Sequence, residues 1–183
     1  MSFLIVLVVL IVLILLFVVS TYNGLVVLRN KVRDQFSQID IQLKKRADLI
    51  PNLVETVKGY SKHESETLEN VIKARNTYLS AGTPDEKMKS SGELTQAVSK
   101  LFALAENYPE LKANENFLDL QNQLKEIEDK ISYARQFYND AVLMLNNKIE
   151  VFPSNFIASL FHFTKESFFE ASEDDRKNVE VKF

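Results

Sequence analysis

Cysteine is absent from the 183 residues, and glycine and proline number only four each. Without cysteine there is no disulfide and no thiolate nucleophile. So few glycines leave no Gly-rich loop to cradle a phosphate, and no G-x-S-x-G elbow to raise a nucleophilic serine. The few prolines fall at the joints of an otherwise helical pattern. An excess of charge of either sign is also missing. The net charge is −3, with acidic and basic residues interspersed, which excludes a basic nucleic-acid footprint. Only two histidines remain for metal or acid–base chemistry.

Uninterrupted hydrophobicity is what the chain does have. Residues 3–19, "FLIVLVVLIVLILLFVV", contain no charge. Extended through Thr21 and Tyr22 the run reaches about 20 residues, or about 30 Å of helix, enough to cross a bilayer. A buried core helix would show a polar stripe, and this run has none. A cleaved signal would open with Lys or Arg and close on small residues, whereas "MSFLIV" and "VVSTYNG" do neither. The expectation is an uncleaved anchor over residues 1–22 that touches lipid through residues 3–22. Arg29, Lys31 and Arg33 follow the span, so the positive-inside rule points the remainder to the cytoplasmic side of a cell membrane.

From residue 22 onward the pattern is helical, with no strand alternation. Leu25, Val32, Phe36, Ile39 and Leu43 mark one face of a first segment that continues the anchor. A second segment is read from Asp48 to about Ala81. Thr83, Pro84 and Glu86 form a capping box for a third, which runs to the "NYPELKAN" loop. In the fourth, Phe117, Leu120, Leu124, Ile127, Ile131, Ala134, Tyr138, Ala141 and Leu145 step by three and four, an a/d seam over four heptads. With three other amphipathic helices on the chain, this seam reads as part of an intramolecular bundle. The fold class expected is all-α: a transmembrane helix continuing into an antiparallel up-and-down four-helix bundle over residues 23–150. Residues 151–170 form an aromatic element holding six of the thirteen Phe, with Ser154 as a candidate cap, and 171–183 a loosely ordered acidic tail.

Pro51 poses the topological question. Proline removes a helical hydrogen bond and clashes with the preceding turn. Asp48 makes a good N-cap, Pro51 would then occupy the first turn, and Ile50 before it is biased away from helix. Asp48 and Pro51 are therefore read as a structural break where the chain reverses. Reversal there returns the aromatic element to the membrane, whereas an unbroken helix, counted as one helix fewer, would leave it at the distal tip.

The stretches "YNGLVVLRNKV" (22–32), "SQIDIQLKKRADLIPNLVETVKGYSKHE" (37–64) and "VIKAR" (71–75), with "FP" at 152–153 and "FF" at 168–169, resemble the LemA family over nearly the whole chain. The resemblance implies a protein, mainly bacterial, with one N-terminal membrane segment and a helical bundle. It implies no established biochemical function. Phe36 stands where the family often has Trp, Ala47 where a larger residue is common, and "HFTKESFF" lacks expected prolines; these differences touch packing and the C-terminal loop.

His63 in "KHESE" begins like a zinc-protease helix but has no second histidine four residues on. A hydrolase using His63, His162 and a carboxylate is the weakest of the functional readings, and no catalytic, cofactor or metal residue is assigned. Candidate contacts with a partner or membrane are Gln38 and Gln42 on one polar face, the cluster Lys44, Lys45 and Arg46, and the aromatic set Phe156, Leu160, Phe161, Phe168 and Phe169. An upright helix puts the basic cluster about 33 Å from the span, beyond several Debye lengths of about 8 Å, so a solvated cluster or partner site is expected at a distal turn. The expectation is a membrane-anchored, non-catalytic scaffold that binds an envelope protein or a second copy of itself. The alternative is a lipid-sensing or membrane-shaping protein that wedges its aromatic segment into the interface.

Overall fold

The computed structural model describes residues 1–61 and 64–170. Among these the regular elements are all helices: α1 (Ser2–Lys58), α2 (Ser65–Ser80), α3 (Pro84–Ala105), the single turn α4 (Pro109–Lys112), α5 (Glu115–Glu150) and the short α6 (Ser154–Leu160). The all-α expectation holds, as does an N-terminal apolar helix that continues directly into the folded part. His63 and the acidic tail lie outside the described residues.

The expected break at Asp48 and Pro51 is overturned. α1 passes through both positions and ends at Lys58. Proline in a helix leaves the carbonyl four residues earlier without its donor, here the carbonyl of Ala47. Arg75 of α2 supplies the missing donor, its Nε–H reaching the Ala47 oxygen at 2.8 Å. Ile50, Leu53, Val54 and Val57 are buried around the proline and hold the axis in place. The chain turns instead at Gly59. There the amides of Tyr60 and Ser61 and the Ser61 hydroxyl all converge on the Val57 carbonyl at 3.0 Å. The segment read as one helix from Asp48 to Ala81 is thus the end of α1 followed by α2. The number of long helices is unchanged among the described residues because the joint moves along the chain instead of disappearing.

The capping box of α3 forms as its residues dictate. Thr83 Oγ1 accepts from the Glu86 amide, and the Glu86 carboxylate accepts from the amides of Thr83 and Gly82. Asn114 caps α5 by accepting from the Phe117 amide at 3.0 Å.

The chain divides into two compact units. The first comprises Met1–Ser37 and Gln136–Phe168; the second comprises, among the described residues, Gln38–Arg135 with Phe169 and Glu170. In the second, α1 runs antiparallel to α2 (Ala47 opposite Arg75, Asp40 opposite Tyr78) and alongside α3 in the same sense (Asp40 opposite Lys87, Arg46 opposite Thr95). The first part of α5 closes this up-and-down arrangement, with Phe117 edge-on to Phe102 at 6.0 Å. In the first unit α1 and the end of α5 are antiparallel, with Lys31 opposite Met144 and Phe36 against Tyr138. The heptad seam of α5 is buried along its length except at Ala134, which is half-buried, so the seam is spent inside the chain.

Candidate membrane-interface site

The first unit changes character at one residue. Residues 1–20 of α1 are bare apart from the half-exposed Val18. Thr21 is buried, and Leu25 and Val32 follow it inside. The C-terminal element packs against this part of α1 through Tyr22 and Arg29. Tyr22 lies 4.8 Å from the Phe161 ring and 5.8 Å from Phe163, and the Arg29 guanidinium sits 5.0 Å above Phe163. The aromatic segment therefore meets the chain where the apolar run ends. The sequence reading reached this destination through the wrong joint, since the reversal that returns the chain comes after Lys58 and not at Pro51.

Local chemistry explains how this element is held. Ser154 does not cap α6, as expected, but is buried with its hydroxyl 2.7 Å from the Lys148 carbonyl and 2.8 Å from that of Val151. Its one proton is shared between the Lys148 carbonyl in the last turn of α5 and the Val151 carbonyl, which also accepts from the Asn155 amide at 2.9 Å. α6 ends in a Schellman motif. The amides of His162 and Phe163 return to the carbonyls of Ser159 and Ala158, and His162 takes the left-handed conformation, φ 56°, that this motif demands. Beyond it the strand-like run 163–168 lies along α5. Glu166 exchanges backbone hydrogen bonds with the Asn146 amide side chain, and the Tyr138 hydroxyl donates to the Ser167 carbonyl at 2.9 Å.

This geometry sorts the apolar side chains into two sets. Ile157, Ala158 and Phe163 turn inward and close the end of the unit. Phe152, Phe156 and Leu160 are exposed at 73%, 66% and 66%, with Val151 and Phe161 beside them. Phe152 and Phe156 touch edge-to-face at 5.9 Å. An exposed apolar group of this kind, beside a bare apolar helix, marks an interaction surface. Of the expected aromatic contacts, Phe156, Leu160 and Phe161 belong to it. Phe168 is exposed too, further along the chain. Phe169 does not belong: it is buried in the second unit, 4.4 Å beneath the Arg135 guanidinium. Val151 and Phe152 were missed because they lie outside the period of α6.

The basic cluster also divides. Lys44 and Lys45 are exposed, on mid-helix turns of α1 and not at a chain reversal. Arg46 is no surface contact: it is 3% exposed in the second unit. Its Nη1 lies 2.7 Å from both Glu128 Oε2 and Thr95 Oγ1, and its Nη2 donates to the Ser91 carbonyl at 2.9 Å. Burial lowers the Arg46 pKa, and the charge and hydrogen bond of Glu128 oppose that shift. The arginine tail of "KKR" points inward because Leu43, Ala47 and Ile50 on the same face are core. A groove of about 510 Å³ opens beside the pair, lined by Thr95, Ser99, Phe102, Gln121 and Lys125. Nearby, Asp40 accepts from the Tyr78 hydroxyl and from Lys87 at 2.7 Å, and burial followed by the Asp40 charge pushes the Tyr78 pKa up. Gln38 is exposed, and Gln42 is half-buried with its carbonyl oxygen lacking a hydrogen-bond partner. The two do not form one solvated face.

Among the described residues no three metal-ligating side chains come together, and His63, on which the zinc reading depends, is not among them.

Comparison with known proteins finds relatives along most of the chain. The chain is 27% identical to Protein LemA of Metamycoplasma hominis over 87% of its own length and 73% of that protein's. It is 22% identical to Magnetosome protein MamQ 2 of Paramagnetospirillum magneticum over 81% of its length, and 20% identical to Magnetosome protein MamQ of Magnetospirillum gryphiswaldense, also over 81%. The matches span 64% of these two magnetosome proteins. The model of the LemA family matches residues 35–183, which takes in the Arg46 network and the aromatic element, and the chain belongs to the LemA family.

Proposed function

We propose that this protein is a single-pass, membrane-anchored helical scaffold that works by binding other molecules and not by catalysis. The observation that carries the reading is the change at Thr21: about 20 bare apolar residues, about the thickness of a hydrocarbon core, followed at once by a fully packed fold on the same helix. A soluble protein does not leave such a surface uncovered. Arg29, Lys31 and Arg33 beyond the span favour a cytoplasmic folded part. Exposed Gln38, Lys44 and Lys45 on the outside of α1 are the candidate contacts with an envelope protein or a second copy of the chain.

Crosslinking in native membranes with identification of the joined species tests this. Expected are specific crosslinks through Lys44 or Lys45, lost in Lys44→Glu, Lys45→Glu protein that still inserts. A full-length protein that extracts as a monomer and crosslinks to nothing would remove the basis of the scaffold reading. Recovery of the protein without detergent, in the soluble fraction, would remove the anchor.

A further inference from the structure

We propose that the exposed face of residues 151–161 lies in the headgroup layer of the leaflet where the anchor ends, and that Arg29 and Lys148 draw anionic phospholipid headgroups to it. The inference rests on the reading of α1 as a membrane anchor.

Three observations lead to it. The first is depth. Phe161 touches Tyr22, so the face formed with Val151, Phe152, Phe156 and Leu160 stands level with the end of the bare helix. Headgroup layers add about 5–8 Å on each side of the hydrocarbon core, and aromatic rings with exposed edges are favoured there. The second is that closing the bundle does not require this face. Ile157, Ala158 and Phe163 do that from the opposite side of the same short helix.

The third is charge. Arg29, Lys31, Arg33 and Lys148 have no carboxylate within ion-pair distance among the described residues, whereas Glu150 is held by Lys165. Arg29 lies about 10 Å along the helix axis from Tyr22, and its long side chain can reach back toward the interface. It is steadied over the Phe163 ring, and its buried Nε has no hydrogen-bond partner. Lys148 sits in the last turn of α5, which leads directly into Val151 and Phe152. The apolar face supplies insertion and these cations supply the preference for a negatively charged leaflet.

The chain contains no tryptophan, so a single introduced tryptophan reports its own depth. Full-length Ile11→Trp, Phe156→Trp and Phe137→Trp proteins would be reconstituted into phosphatidylcholine vesicles with and without phosphatidylglycerol. Each would be quenched by lipids brominated near the carbonyl and by aqueous iodide. Phe137 is the contrast, exposed on α5 of the same unit and about 21 Å along the axis from Val151. Expected is bromolipid quenching and iodide protection for Phe156→Trp, and the reverse for Phe137→Trp. Spin-labelled phosphatidylglycerol should be preferred over phosphatidylcholine at the protein surface, and the preference should fall by up to about fivefold for each of Arg29→Gln and Lys148→Gln. Iodide access at Phe156→Trp with protection at Ile11→Trp overturns the proposal and leaves the anchor standing. Iodide access at Ile11→Trp overturns both. A lipid preference unchanged in the Arg29→Gln, Lys148→Gln protein overturns the role given to the two cations.

Discussion

The two units depart from the usual rule of apolar inside and charged outside in opposite directions. In the first, Phe152, Phe156 and Leu160 stand exposed beside a bare apolar helix. In the second, Arg46 is withdrawn almost completely from water and answered by Glu128, Thr95 and the Ser91 carbonyl. An exposed apolar group costs little in the folded state and needs an external reason, here the lipid surface proposed above. A buried charge costs much and needs an internal one, supplied by its hydrogen bonds. The first kind of exception therefore marks contact with something else, and the second marks the specification of this fold. Substitutions should separate the two: they should be costly to folding at the buried charge and nearly silent at the exposed apolar face.

The largest effect is expected at Arg46. Arg46→Met takes the Arg46 donors from Glu128, Thr95 and the Ser91 carbonyl, leaving Glu128 the longer 3.8 Å pair with Arg135 and the carbonyl its bond from the Thr95 hydroxyl. It should cost about 3–5 kcal/mol, measured by denaturant unfolding of the detergent-solubilised protein. Arg46→Met with Glu128→Leu should recover part of that loss, because the carboxylate that lost its shorter partner is then gone as well. If the single change is nearly neutral, the network does not specify the second unit and the comparison fails on that side.

The sharper contrast lies within one heptapeptide and its flank. Phe163→Ala removes a buried ring and should cost about 3 kcal/mol. Phe156→Ser, on the exposed face, should change stability in detergent by no more than about 0.5 kcal/mol. Equal destabilisation by both would mean that the exposed face closes the unit after all, and the membrane contact would lose its motive.

Next in size is the accommodation of Pro51. Arg75→Met orphans the Ala47 carbonyl and should cost about 1.5–3 kcal/mol, the worth of a hydrogen bond from a charged donor. With Pro51→Ala already in place, a backbone amide can reach the same oxygen, so the cost of Arg75→Met should fall. A double-mutant cycle measures that coupling directly. A coupling of zero would show that Arg75 acts through something other than the carbonyl that proline leaves free.

This pair also shows what was legible in the sequence and what was not. The long apolar N-terminal helix, the α3 capping box and the α5 seam each depend on spacings within one segment, and each was readable. Pro51 was misread because its tolerance depends on Arg75, which lies 24 positions on in another helix and gives no local signal. Arg46 was misread for a related reason: in "KKR" it looks like its neighbours, and only the three-residue step from Leu43 hinted that it faces inward. The exposed face was half legible. Phe156 and Leu160 follow a helical period, whereas Val151 and Phe152 join them through a turn. Phe169 resembles Phe168 in sequence, yet the alternation of an extended run carries it to the other side, beneath Arg135.

The smallest effect expected belongs to a charge of the opposite kind, fully exposed and held only by local hydrogen bonds. The Glu86 carboxylate accepts from the amides of Gly82 and Thr83, which holds its pKa below the usual carboxylate range, with the Gly82 amide contributing most. A carboxylate whose folded pKa is depressed stabilises the fold above its unfolded pKa, and that contribution disappears as the pH falls through the folded value. Glu86→Gln keeps an acceptor but removes the titration. Wild type should therefore be slightly the more stable at neutral pH, and the difference should vanish in acid below the carboxylate range, read by urea unfolding at both pH values. A difference that stays constant with pH would assign the cap to its geometry alone. It would also leave Arg46, buried among hydrogen bonds from three helices and paired with the part-exposed Glu128, as a place in this unit where charge itself shapes the fold.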